Sequence, residues 1–225
     1  MSNKRALVFV NESYYHVYNR GIDRRHTFTN KREYTRALEL LTFYQYTNIP
    51  IRYSRFIEAP EKLRQSYYGT MQNSGKLVEV VAYCLMPNHF HLLIKQRKEK
   101  GIASYVSNFI NAYTKYFNTK YQRIGPLFQG VFKAVFVETD EQLIHLTRYI
   151  HLNPVSSRMI TTETLPLFPW SSHPHYLKRT NSELIEKTTV STILEMIPNY
   201  EKFIIDQIAY AQELEKIKHM TFEYE

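Results

Sequence analysis

Val80-Val-Ala-Tyr-Cys-Leu-Met-Pro-Asn-His-Phe-His-Leu-Leu-Ile-Lys95 reads as parts of two apolar strands that fold back on each other across Met86-Pro-Asn88. Side chains alternate along a strand, so His89 and His91 project from one face while Phe90, Leu92 and Ile94 form the other. The apolar side is a core face. The two imidazoles therefore stand side by side on the opposite, open face, where they could hold one metal ion. Taken alone, such a pair is more commonly two exposed or hydrogen-bonded histidines. The rest of the chain decides between these readings.

Working outward, Ser13–Arg20 reads as a first strand ended at Gly21, and Lys31 to about Thr47 as a helix with Asn30 as N-cap. Ile51–Ile57 is a strand or an extended connection, and Pro60–Gly75 a polar loop or insertion. Leu77–Leu85 and His89–Lys95 are the two strands of the opening stretch. A helix over about Ile102–Thr119 follows, then a break at Ile124-Gly-Pro126 and a strand over Val131–Val137. Thr139 opens a third helix, with Thr-x-x-Gln142 resembling a capping box, and Pro154 disfavours its continuation past Asn153. Beyond Pro166, Pro169 and Pro174 lie two more helices, about Ser182–Met196 and Tyr200–His219.

This order predicts an α+β fold: a ferredoxin-like (RRM-like) antiparallel sheet with helices on one face and the other face open, plus extra C-terminal helices. Residues 1–177 form the main domain and 178–225 a helical extension. With 225 residues the chain can bury a substantial core.

Cys84 is the only cysteine, which excludes an internal disulfide and a thiolate zinc cluster. No apolar run approaches the ~20 residues of a membrane span. Met1–Val10 is too short to make a convincing signal peptide, so no membrane and a cytoplasmic location are expected. Residues 1–133 hold 21 Lys and Arg against 8 Asp and Glu, a net +13, whereas residues 134–225 hold 8 against 13. A basic front with interleaved aromatic residues suits a polyanion with unpaired bases. Arg20, Arg24, Arg25, Lys95, Arg97, Lys98 and Lys133 are the candidate phosphate contacts, offered as a surface rather than singly.

On the third helix His145, Tyr149 and Asn153 fall at i, i+4, i+8 and form one polar line, with Gln142 close by. Leu143, Leu146 and Ile150 make the docking stripe. Tyr149 thus lies beside the docked face, flanked along the helix by polar groups. Alone, it would be an ordinary boundary tyrosine.

Together the segments form a pattern. Tyr83-Cys-Leu-Met-Pro-Asn-His-Phe-His-Leu-Leu93, followed about sixty residues later by Tyr149-Ile-His-Leu-Asn-Pro-Val155, resembles the single-tyrosine HUH transposases of insertion sequences. The resemblance is nearest to their domesticated relatives, the REP-associated tyrosine transposases. Tyr15-His-Val-Tyr-Asn-Arg-Gly21, Gly125-Pro-Leu-Phe-Gln-Gly-Val-Phe-Lys133 and Trp170-Ser-Ser172 extend it over roughly residues 13–177.

The resemblance implies that His89 and His91 bind a metal ion and that Tyr149 is the nucleophile. Asn153 matches a polar third ligand that is often glutamine in the family. Tyr113 and Tyr116 are rival nucleophiles, ranked lower because neither has the Tyr-x-x-x-Asn-Pro context and Tyr113 lies on an apolar helix side. The implied cofactor is Mg2+ or Mn2+, although two imidazoles by themselves favour a transition metal such as manganese. The implied partner is single-stranded DNA with an adjacent hairpin, and monomer and homodimer both stay open.

The implied activity is single-strand DNA cleavage through a 5′-phosphotyrosine intermediate, followed by religation. A phenol ordinarily ionises near pH 10, so the attack needs a proton acceptor or help from the metal; His145 and a water are both possible acceptors. The alternatives are a non-catalytic single-stranded nucleic-acid-binding protein on a ferredoxin-like sheet, and a metal-dependent phosphodiesterase that uses water. Neither explains the placement of Tyr149 and Asn153.

Overall fold

The computed structural model describes residues 8–208. Four strands, β1 (Tyr14–Arg20), β2 (Val78–Met86), β3 (His89–Gln96) and β4 (Lys133–Val137), form one sheet in the order β2-β3-β1-β4, with every neighbouring pair antiparallel. α1 (Lys31–Tyr44) links β1 to the β2–β3 hairpin, and α4 (Gly101–Lys120) links β3 to β4. This is the expected ferredoxin-like arrangement. Between α1 and β2 the chain inserts two more helices, α2 (Tyr53–Glu58) and α3 (Glu61–Asn73).

Alternation builds the core. On β1, Tyr15, Val17 and Asn19 are buried between half-exposed neighbours. On β3, Phe90, Leu92 and Ile94 point the same way, and Phe90 meets Phe109 of α4 edge-to-face. A register shift in β2 between Val80 and Ala82 inserts Val81 as an extra residue. The bulge turns Tyr83 and Leu85 to the core side and leaves Ala82, Cys84 and Met86 beside the histidines.

Three sequence expectations fail here. Residues 61–73 are helical rather than a loop, because Pro60 at the N-cap position starts a helix and Met71 is fully buried. Residues 53–58 are helical rather than extended, with Tyr53 and Phe56 packed on Phe43 of α1. The face opposite α1 and α4 is not open. α5 (Asp140–Ser156) crosses β2 and β3 there, and every residue of β2 but Glu79 is buried.

Further chain covers the outer edge of β2. Ser171 bridges Cys84, Ile185 bridges Val80, and Trp170 stacks on Tyr34. α6 (His173–Tyr176), α7 (Lys187–Met196) and α8 (Tyr200–Ile205) follow, and α8 packs on α5. α7 starts later than its pattern suggested, because Ile185 and Glu186 pair with β2 instead. The expected helix over 200–219 lies mostly outside the described residues, as do the first seven residues of the chain.

The α1–α4 layer is closed by a buried charge. Glu33 is fully buried and accepts from Lys120, Tyr121 and Thr29. Burial alone would raise its pKa, but the hydrogen bonds from Lys120, Tyr121 and Thr29 outweigh it and hold it at about 2. Its stabilisation is therefore full above the ordinary value of 4.5 and is lost as pH falls toward 2. Glu33→Ala should cost about 3 kcal/mol at neutral pH, since it leaves Lys120 beside a buried gap. Urea unfolding at pH 7 and pH 3 checks this: the gap between wild type and variant should shrink at the lower pH.

Candidate active site on the α5 face of the sheet

Central placement fixes the histidines. β3 is paired on both sides, to β2 and to β1, so Cys84 and Tyr18 flank His91, and Met86 and Arg20 flank His89. At the start of β3 the chain is held by Gly21, whose N–H donates to the Asn88 carbonyl at 2.8 Å. A Cβ at Gly21 would lie 2.4 Å from the Arg25 carbonyl oxygen, so the close turn there requires glycine.

His89 and His91 meet edge-to-face with ring centroids 5.0 Å apart. Nδ1 of His89 donates to the Asn88 side-chain oxygen at 2.6 Å. Burial, and then the Arg20 guanidinium, push the His89 pKa down to about 4 against the opposing pull of a hydrogen bond with Asn153. His89 is therefore neutral at neutral pH and keeps a lone pair for a ligand. Nδ1 of His91 is hydrogen-bonded to Nε2 of His16 at 2.8 Å.

α5 brings the tyrosine. Thr139 caps it by accepting from Gln142 N, and the Gln142 side chain reaches back to Glu138 N, one residue beyond the usual capping box. The Tyr149 ring stands edge-on to His91, with centroids 5.6 Å apart, and edge-on to His16 at 6.0 Å. One turn on, Asn153 donates to the Tyr149 carbonyl at 2.8 Å, and its side chain lies close enough to His89 to favour the protonated ring. The helix runs through Pro154 to Ser156, past its expected end at Asn153. Buried Leu152 and Val155 hold the last turn, and the Pro154 carbonyl accepts from Met159 N and Ile160 N.

The structure thus gathers His89, His91, Tyr149 and Asn153. It separates His145, which turns toward solvent with its ring against Glu141, Arg148 and Phe203. The basic residues divide. Arg20 flanks His89, Arg24 accepts from Asn88 through its carbonyl, Arg25 completes the same turn, and Lys133 pairs with Tyr18 across β1 and β4. Lys95 and Arg97 lie toward the far end of β3, roughly 20 Å away at the usual rise per residue. There they are neutralised by Glu12, and Arg97 by Glu79 as well. The rival tyrosines fall elsewhere: Tyr113 is buried and donates to the Thr27 carbonyl, while Tyr116 packs on Arg36.

Residues 43–153 match the family described as Transposase IS200 like. The match runs from α1 to Asn153 of α5, and over that span the chain is similar to the family. Among solved structures, a REP-associated tyrosine transposase bound to a REP hairpin superposes with TM-score 0.51 at 14% identity, covering 83% of this chain and 98% of that one. A putative transposase from Deinococcus radiodurans matches with TM-score 0.35 at 17% identity, over 67% of this chain and 95% of that one. The tRNA(His) guanylyltransferase of Saccharomyces cerevisiae matches with TM-score 0.35 at 12% identity, over 85% and 80%. The first is a likeness of fold, and the other two are too loose to carry argument. A comparison with curated protein sequences returns no match. Among the described residues, no helix is long and apolar enough to cross a membrane.

The sequence patterns left out several residues that build the site. His16 and Tyr18 lie on the histidine face of β1, and the same alternation that exposed His89 and His91 would have found them. His151 is a different case. It faces away from solvent, with Nδ1 on the Tyr200 hydroxyl and Nε2 on the Ser172 hydroxyl, both at 2.7 Å. Ser172 Oγ in turn accepts from Tyr83 N at 2.9 Å. Burial first, and then neighbouring His173, keep the His151 pKa well below its ordinary value. A neutral imidazole therefore ties α5 to β2 and to α8. Replacing it by alanine takes the His151 partner from the buried Tyr200 hydroxyl, removes one bond from Ser172, which keeps Tyr83, and opens a cavity, so His151→Ala should cost about 3 kcal/mol in urea unfolding. A loss under about 1 kcal/mol would mean that His151 does not anchor α5.

Proposed function

We propose that this protein cleaves and rejoins single-stranded DNA beside a hairpin, with Tyr149 as nucleophile and His89 and His91 as the ligands of a divalent ion. One observation carries the reading: Tyr149 on α5 stands against His91 of the pair in the same chain, with the Asn153 side chain one turn on beside His89.

The donor set fits such an ion. Both imidazoles have Nδ1 in a hydrogen bond, so Nε2 is the nitrogen each would turn to an ion, and the Asn153 amide would supply an oxygen. No group of three or more His, Cys, Asp or Glu suited to a metal exists among the described residues. Two imidazoles and an amide leave the rest of the shell to water and phosphate oxygens, which suits Mg2+ or Mn2+. When bound, the ion would withdraw charge from a non-bridging phosphate oxygen.

The remaining steps belong to the chain itself. The Tyr149 hydroxyl oxygen bonds to phosphorus as the bond to the 3′-oxygen breaks, giving a 5′-phosphotyrosine and a free 3′-hydroxyl. The phenolic proton leaves to water, because His145 is turned away, and the departing oxygen takes a proton from solvent. A second 3′-hydroxyl reverses the step and rejoins strands. Arg20, Arg24, Arg25 and Lys133 hold the neighbouring phosphates at the His89 end. Lys95 and Arg97, already paired with carboxylates, contribute little there.

The test uses a labelled single-stranded hairpin DNA with Mn2+. Wild type should form a covalent adduct stable to denaturant, and Tyr149→Phe should reduce it by at least about a thousandfold while still binding DNA. Persistent adduct in Tyr149→Phe would remove Tyr149 as nucleophile. Cleavage without any tyrosine linkage would mean that water attacks, and binding without cleavage that tolerates His89→Ala would leave only a nucleic-acid-binding module.

A further inference from the structure

His16 bonds through a ring nitrogen directly to a member of the histidine pair. It lies on β1, two residues before Tyr18, and Tyr18 is the register partner of His91. The two side chains thus sit diagonally across neighbouring strands on one face, within reach of each other. Their rings are stacked, 5.1 Å between centroids and 20° apart, and Nε2 of His16 is 2.8 Å from Nδ1 of His91.

A hydrogen bond between two ring nitrogens needs one N–H and one lone pair. Only two arrangements exist. If His91 Nδ1 carries the hydrogen, its lone pair is on Nε2 and His16 accepts. If His16 Nε2 carries the hydrogen, His91 accepts on Nδ1, its own hydrogen moves to Nε2, and it has nothing to offer a cation. The other ligand shows which arrangement this site is built for. His89 already donates Nδ1–H to the Asn88 side-chain oxygen, which puts its lone pair on Nε2.

Resting on the reading of His89 and His91 as metal ligands, we infer that His16 is a positioning residue. It accepts from His91 Nδ1–H and so holds His91 in the tautomer and ring orientation that present Nε2 to the ion. Asn88 does for His89 what His16 does for His91, one from the hairpin turn and the other from the neighbouring strand. The coupling is reciprocal: whatever favours the Nε2 lone pair adds to metal affinity, and bound metal strengthens the His16–His91 bond. His16 also packs edge-on against Tyr149, so the same ring that aims the ligand borders the nucleophile.

The decisive measurement is Mn2+ affinity of the full chain without DNA, by electron paramagnetic resonance titration, for wild type, His16→Phe, His16→Gln and His89→Ala. Outer partners of metal-bound histidines typically matter about 10–100-fold in affinity. His16→Phe keeps a ring without an acceptor and should weaken Mn2+ binding by that factor. His16→Gln restores an accepting oxygen and should recover most of the loss. Thermal melting in chelator, with the ion absent, should be alike for the two His16 variants.

Wild-type affinity in His16→Phe would overturn the inference, and so would a His16→Gln variant as weak as His16→Phe, since the acceptor would then not matter. If His89→Ala also binds Mn2+ like wild type, the metal-site reading itself fails and takes the inference with it. If only the His16 variants are silent, the metal site stands and His16 does not position it.

Discussion

The docking of α5 across β2 and β3 is the contact on which the site depends. The histidines are fixed by a strand paired on both sides, but Tyr149 reaches them only while α5 keeps its register on the sheet. Apolar contacts from Leu143, Ile150, Leu152 and Val155 hold the helix down, and such contacts tolerate sliding. The His151 imidazole does not. Its two nitrogens serve two hydroxyls on different segments, Ser172 beside β2 and Tyr200 on α8, and a shift of one residue would part the buried imidazole and the Tyr200 hydroxyl from these partners. Each such group costs about 1–3 kcal/mol. The apolar stripe supplies adhesion, and the imidazole supplies position.

That division explains why the chain beyond residue 165 matters to a site it does not touch. Ser172 accepts from Tyr83 N, Leu85 N donates to the Trp170 carbonyl, and Trp170 stacks on Tyr34 of α1. The segment thus runs beside β2 like a further strand and reaches both faces of the sheet. From one side it braces the helix that carries Tyr149, and from the other it is pinned to the α1 layer. The C-terminal helices are therefore part of how Tyr149 is held against the sheet.

What could be read from the residues follows from the range of each rule. Alternation put His89 and His91 opposite Phe90 and Leu92, because a strand's two faces are set by its own backbone. Helical spacing put Tyr149 and Asn153 on one line for the same local reason. The family pattern joined the two, which no local rule could do. His16 was passed over although its segment was part of that pattern, since its partner is 75 residues away and only sheet register brings them together. Residues 61–73 looked like a loop because Gly69, Asn73 and Gly75 are weak helix formers, yet burial of Met71 outweighs their propensity. The face expected to be open is half covered because α5 needed a surface for its stripe, and this was the only sheet face that α1 and α4 had left.

Charge is arranged along β3 as deliberately as shape. At one end Lys95 and Arg97 are spent on Glu12 and Glu79, so that end presents little net field. At the other, Arg20 stands beside His89, with Arg24, Arg25 and Lys133 nearby. The Arg20 charge has two consequences with the same sign. It opposes protonation of His89, which keeps the ring's lone pair available, and it would attract a phosphate to the same spot. A carboxylate in its place would hold a cation more tightly but would repel the DNA and favour a protonated histidine. For the proposed assembly of ion, phosphate and phenol, a cation next to a neutral imidazole is the arrangement that would not set one ligand against another.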